Sequence, residues 1–154
     1  MTLQRLLMAS NTDQASLEQE VRSLQAYANE YSQQFELLTQ QLRFIESARG
    51  EALASTESLE AFSGLEGDVP TLLNLGGGIS VHAIVTDTKK ILVGIGAGIT
   101  VEKPVEEAIT FLHDRVTEMD ASAKRLSESL GKLQEQMRAV EQRMQEIYSQ
   151  TQHR

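Results

Sequence analysis

Cysteine is absent from the 154-residue sequence, which excludes a disulfide framework, a thiolate zinc site and a cysteine nucleophile. That absence suits a reducing cytoplasm, the expected compartment. Tryptophan is missing too, and aromatic residues make up only 5% of the chain. A compact globule usually fills its core with large rings, whereas a coiled coil fills a thin seam with Leu, Ile, Val, Met and Ala. Proline occurs twice, leaving long stretches free for unbroken helix. No cluster of Lys and Arg is present and the formal net charge is −8, the opposite of the basic stripe of a nucleic-acid binder. Long apolar runs are also lacking. Residues 6–9 are too short for a signal-peptide core, and residues 91–99 carry three glycines and fall well below a membrane span. Neither nucleic acid nor membrane is an expected partner.

What the chain does contain is a pair of long heptad registers. In the first third, alternating steps of three and four run through Leu17, Val21, Leu24, Ala28, Tyr31, Phe35, Leu38, Leu42, Ile45, Arg49, Ala52, Thr56 and Leu59, with Arg49 and Thr56 the only polar members. The last third repeats the pattern without exception through Val105, Ile109, Leu112, Val116, Met119, Ala123, Leu126, Leu130, Leu133, Met137, Val140, Met144 and Ile147. A spacing that averages 3.5 over so many turns is the signature of a coiled coil. Pro104 stands where a helix accepts proline, at its first position, and Glu106 and Glu107 follow where acidic groups favour the N-terminal dipole. Gly131 is a local blemish costing roughly 1 kcal/mol of helix propensity. The two registers have equal reach, about 63 Å at a rise of roughly 1.5 Å per residue. Equal seams joined by a middle segment predict antiparallel pairing, with Leu59 opposite Val105 and Leu17 opposite Ile147.

Between the helices the period changes. Gly64, Gly67 and Asp68 break the first helix and Pro70 favours an extended entry. Residues 71–75, 79–86, 91–96 and 99–102 then read as four β-branched strands bounded by turn residues, forming two hairpins around Gly76-Gly77-Gly78 and Gly96-Ala97-Gly98. The expected fold class is α+β: a long antiparallel two-helix coiled coil with two β-hairpins at the connecting end. It divides as one module into a first coil helix (1–62), a double-hairpin segment (63–103) and a second coil helix (104–154). Apolar residues occupy both faces of the strands, and short strands at the end of a coil have little to bury against within one chain. Open edges and apolar faces invite another subunit. Leu73, Leu75, Ile79, Val81, Ala83, Val85, Ile91, Val93, Ile95, Ile99 and Val101 are therefore the expected oligomerisation residues.

Catalytic and cofactor chemistry is not evident. Gly94-x-Gly96-x-Gly98 follows a strand, but Ile99 stands where the dinucleotide fingerprint needs its third glycine, and another strand follows instead of a helix. His82, His113 and His153 are isolated from one another and from any second ligand at metal spacing. The sequence around Ser80 fails the nucleophile-elbow pattern. The expectation is a non-enzymatic protein with no catalytic residue, no cofactor and no metal site.

The segment Leu72-Leu73-Asn74-Leu75-Gly76-Gly77-Gly78-Ile79-Ser80-Val81-His82-Ala83, with the later run Val93-Gly94-Ile95-Gly96-Ala97-Gly98-Ile99-Thr100-Val101-Glu102-Lys103, resembles the double-hairpin region of prefoldin alpha subunits of archaeal type. With both flanking coils the resemblance covers about residues 15–150. It implies a hexamer of two alpha and four beta subunits joined through their hairpins. It also implies ATP-independent capture of unfolded polypeptides at the distal coil tips and delivery to a type II chaperonin. The triple-glycine turn departs from the more varied residues typical of the family.

At the distal tips the first register runs backward into polar Gln14 and Ser10, and beyond them lie Leu3, Leu6, Leu7 and Met8. Together with Met137, Val140, Met144, Ile147 and Tyr148 on the second arm, these form the expected client-binding set. Apolar contact is non-directional and accepts many sequences, and Met adapts its shape readily. The alternative for the N-terminal cluster is disorder or folding back onto the coil. The alternative function is a structural or adaptor coiled coil that binds fixed, folded partners.

Overall fold

The computed structural model describes the backbone of residues 3–152 and the side chains of residues 14–151. In chain order it has helix α1 (Leu3–Ser63), strands β1 (Val69–Gly76), β2 (Ile79–Val85), β3 (Lys90–Gly96) and β4 (Ile99–Pro104), and helix α2 (Val105–Gln152). Two long helices are thus joined through two β-hairpins. Two compact units are distinguished, residues 1–44 with 123–154, and residues 45–122.

In the first unit every α1 position that the heptad register selects is half-buried, Leu17, Val21, Leu24, Ala28, Tyr31, Phe35, Leu38 and Leu42, and Glu20 and Thr39 join them beside the seam. On α2 the matching set is Ala123, Leu126, Leu130, Leu133, Met137, Val140, Met144 and Ile147. Leu133 and Ile147 are buried outright. Arg143 donates through Nε to Glu20 Oε1 at 2.7 Å and through an Nη to Oε2 at 3.2 Å. Leu17 also shares a cleft with Ile147 and Thr151, so the residue number falls on α2 as it rises on α1: the helices are antiparallel here, with Leu17 and Ile147 at the same level as expected.

The second unit holds the remaining helix ends and both hairpins. Ala52, Thr56, Val105, Ala108 and Val116 are buried, Ala108 completely (0% exposed). The pairing level differs here from the expectation that Leu59 faces Val105. Glu60 lies 3.8 Å from His113, Arg49 donates to Asp120, and Leu59 shares a groove with Leu112. α1 therefore meets α2 about one and a half to two and a half turns further along than the matched seams suggest. A hydrophobic period fixes which face of a helix is buried, but successive turns are nearly equivalent, and other contacts choose between them.

Those contacts come from the turn between the hairpins. Buried Thr88 donates its hydroxyl to the carbonyl of Leu65, just beyond the end of α1. Next to it, Lys89 accepts at its carbonyl from the Val105 amide, the first residue of α2. Asp87 accepts the Lys89 amide at 2.9 Å, an Asx-type closure. This turn thus holds both helix ends. Pro104 ends β4, and the helix begins one residue later than expected.

β1 pairs with β2 and β3 with β4, each as a separate antiparallel two-stranded sheet. Both hairpins close through two-residue loops, Gly77-Gly78 and Ala97-Gly98, because Gly76 pairs with Ile79 and Gly96 with Ile99. All four loop residues have positive φ, as a type I′ turn requires. Each hairpin also bulges just before its loop, at Leu75 and at Ile95. The two tips are one design repeated: Leu75-Gly76-Gly77-Gly78-Ile79-Ser80-Val81 and Ile95-Gly96-Ala97-Gly98-Ile99-Thr100-Val101.

Candidate interaction surfaces

Antiparallel register places cross-strand partners on one face, and burial then separates the faces. In the first hairpin the pairs Val69–Val85 and Thr71–Ala83 share a face and are half-buried. Further out on that face, Leu73 and Val81 are exposed, and so are Leu75 and Ile79 at the tip. The opposite face carries Leu72 and Ile84, each 64% exposed. The second hairpin follows the same plan. Ile91, Val93 and Val101 are half-buried, Ile95 and Ile99 are exposed at the tip, and Leu92 on the reverse face is 72% exposed. Lys90 and Glu102 pair at 3.2 Å, beside Leu92 in the register.

Of the residues expected to mediate oligomerisation, Leu73, Leu75, Ile79, Val81, Ile95 and Ile99 are thus open to contact. Ala83, Val85, Ile91, Val93 and Val101 are half-buried in the chain itself. Leu72, Ile84 and Leu92 were not in the expected set, yet they are among the most open apolar side chains of the hairpins. Choosing one face per strand passed over them, although the even-numbered positions already showed an apolar residue on the reverse face.

β3 also borders a groove of about 490 Å³, lined by Leu59 and Phe62 of α1, Phe111 and Leu112 of α2, and Leu92 and Val93. Its lining is mainly apolar, with Arg115 its one charged member.

In the first unit a smaller cleft of about 320 Å³ opens between Leu17 and Val21 of α1 and Ile147, Tyr148 and Thr151 of α2. Ile147 is only 2% exposed, and Met137, Val140 and Met144 are half-buried in the seam. These four members of the expected client set are therefore seam residues first, because they occupy a and d positions facing a partner helix. Tyr148 is exposed. Leu3, Leu6, Leu7 and Met8 lie outside the residues whose side chains are described. Beside the cleft, Arg143 holds Glu20 across the seam and Glu146 on its own helix at 3.1 Å. The hydrogen bond from Arg143 holds the Glu20 carboxyl below the usual carboxylate range, and the two carboxylates push the guanidinium further up.

Two long antiparallel helices joined by twin β-hairpins with glycine-marked type I′ tips narrow the choice of family, and sequence comparison decides it. The family model described as Prefoldin subunit matches residues 31–150. The chain belongs to the prefoldin family. It is 44% identical over 131 residues to the prefoldin subunit alpha of Methanoregula boonei, covering 85% of each chain. With the alpha subunit of Methanospirillum hungatei it shares 40% identity over 133 residues, or 86% of this chain and 89% of that one. More distantly, it is 31% identical to the alpha subunit of Archaeoglobus fulgidus, over 84% of this chain and 94% of that one. Among solved structures, a chain of the filamentous prefoldin of Methanocaldococcus jannaschii superposes with a TM-score of 0.65 at 19% identity, covering 75% of this chain and 95% of that one, a match of fold. A prefoldin alpha-type chain is a chaperone subunit, and the resemblance to alpha subunits extends over both coils as well as the twin hairpins. Among the described residues, no helix is long and apolar enough to cross a membrane, and no group of three or more His, Cys, Asp and Glu is placed to hold a metal ion.

Proposed function

We propose that this chain is an ATP-independent holdase subunit of the cytoplasm, which assembles through its hairpins and binds unfolded polypeptides at the distal end of its coil. The observation that carries the reading is the apolar surface left open on both hairpins, with Leu72, Ile84 and Leu92 on one side and Leu73, Leu75, Ile79, Val81, Ile95 and Ile99 toward the tips. Isolated two-stranded hairpins are marginal in water, and so much open apolar surface on them favours burial against other subunits. Beta-type prefoldin subunits are the proposed partners, in a hexamer of two alpha and four beta chains acting as a single coiled-coil module per subunit. Half-buried Ala83, Val85, Ile91, Val93 and Val101 continue the same faces inward from the tips.

At the other functional site, Tyr148 and the cleft beside Leu17 and Val21 offer an apolar foothold in the described residues. Leu3, Leu6, Leu7 and Met8 complete the proposed surface. Met137, Val140, Met144 and Ile147 join it when the helix ends part and uncover the seam. Delivery of the held chain to a type II chaperonin follows from the same reading.

Purified alone and with a beta-type subunit, the chain is expected to show a hexamer mass only in the mixture, and the hexamer is expected to suppress light scattering from a denatured client without ATP. A stable complex with a folded ligand and no effect on denatured chains would establish the adaptor reading instead.

A further inference from the structure

We infer that α1 carries a second contact site for unfolded polypeptide, an uncharged stripe centred on Leu37 and Phe44 and away from the distal cleft. The inference rests on the holdase reading above. Leu37 and Phe44 lie one heptad apart on the outer side of α1, and they are 56% and 76% exposed. Neither belongs to the a/d seam, so the coil itself gives no reason for an apolar residue at either place. Gln33 and Gln40 flank them on one side of the helix surface and Gln34 and Gln41 on the other, all four exposed. The six side chains of this stripe are uncharged, in a chain with net charge −8, and exposed Glu36 and Arg43, of opposite sign, border it beyond Gln33 and Gln40. Glu30 stands at its N-terminal border, where it accepts from Gln34 Nε2 at 3.1 Å.

The composition of the stripe selects its occupant. Two apolar side chains on one helix face cannot supply the roughly 1,000 Å² of buried surface that a lasting subunit interface needs, so a permanent helical partner is a poor fit. A chain already held elsewhere needs only a weak additional contact to gain residence. Glutamine side chains donate and accept at once, matching the exposed peptide groups of an unfolded segment, while Leu37 and Phe44 take its apolar side chains without fixed geometry. With uncharged side chains in the stripe and Glu36 balanced by Arg43 at its border, the face offers less repulsion to acidic clients than an acidic face would.

The test uses the complex with a beta-type subunit and permanently unfolded, reduced and carboxymethylated α-lactalbumin as probe. A photocrosslinking phenylalanine analogue in place of Phe44 is expected to label the probe. The double variant L37Q/F44Q is expected to bind it about tenfold more weakly, the scale set by burying one to two apolar side chains, at unchanged complex mass. Both positions are exposed, so the coil is expected to melt as the unaltered complex does. Crosslinks to another subunit alone, or a changed complex mass, would overturn the inference in favour of a subunit contact. Unchanged affinity in the double variant, with the unaltered complex binding normally, would sink the stripe and leave the holdase reading standing. Failure of the unaltered complex to bind the probe would remove both.

Discussion

Arg49 and Thr56, the two polar interruptions of the first register, have different explanations in the structure. Arg49 reaches out of the seam to Asp120 on the facing helix, and both side chains remain about half exposed. Such pairs contribute about 0–1 kcal/mol, so Arg49→Leu, which restores the apolar seam, is expected to leave the thermal midpoint close to its original value. Thr56 is buried and returns its hydroxyl to the Ala52 carbonyl at 2.9 Å. Side-chain back-bonding of this kind slightly weakens a helix, so Thr56→Val is expected to fall within about 1 kcal/mol of neutral, on the stabilising side. A fall in melting temperature of many degrees would show that the hydroxyl has another duty. At Gly98, φ is +74° and a Cβ would meet nothing within 4 Å. The penalty of Gly98→Ala is therefore conformational and is expected at about 1–2 kcal/mol, whereas Ala97→Asn, at the neighbouring loop position, is expected to be favourable. Differential scanning of the complexes would rank the two. For Glu20 the sign is clear: its folded pKa lies below its ordinary value, so its contribution is present above the unfolded pKa and is lost as pH falls through the folded one. Glu20→Gln is expected to lower the melting temperature at neutral pH and to make no difference well below about pH 4.

Among the elements, the helices and the turns were the most legible. Every seam position read from the heptad periods in the described residues is buried or half-buried, because a 3.5-residue period leaves a helix only one apolar face to hide. The glycine-rich tips were equally readable, since a two-residue hairpin loop demands positive φ at both residues. Which turns of the helices oppose one another near the hairpins was not readable. That level depends on Thr88 and Lys89, ordinary turn residues in the sequence, which bond to Leu65 and Val105 across the ends of α1 and α2. Thr88→Val is expected to leave the Leu65 carbonyl unpaired and cost about 1 kcal/mol. Ala108→Leu, at a position with no exposure at all, is expected to cost about 1–3 kcal/mol by overpacking. Thermal unfolding of the two variants would separate these effects, and a tolerated Leu at 108 would contradict tight packing around the fully buried Ala108.

For the whole molecule, the open hairpin surface and the distal cleft call for different experiments. The triple variant L72S/I84S/L92S removes side chains that are 64–72% exposed. It is expected to keep helical circular dichroism while losing the hexamer mass with a beta-type partner. An unchanged hexamer would exclude that face from assembly. In the proposed client set, a methionine at an a or d position reads the same in sequence whether it serves the seam or a client. Burial in the structure assigns Met137, Val140, Met144 and Ile147 to the seam.

By itself the sequence determined the two helices, their antiparallel seams, the hairpin turns and the family, because each follows from local period or from backbone geometry that few residues can adopt. Only the tertiary structure decided the pairing level beside the hairpins, the half-burial of Ala83, Val85, Ile91, Val93 and Val101, and the exposure of Leu72, Ile84 and Leu92. These depend on which surfaces meet across long stretches of chain, and a repeating pattern of apolar residues is compatible with several such meetings until specific contacts select one.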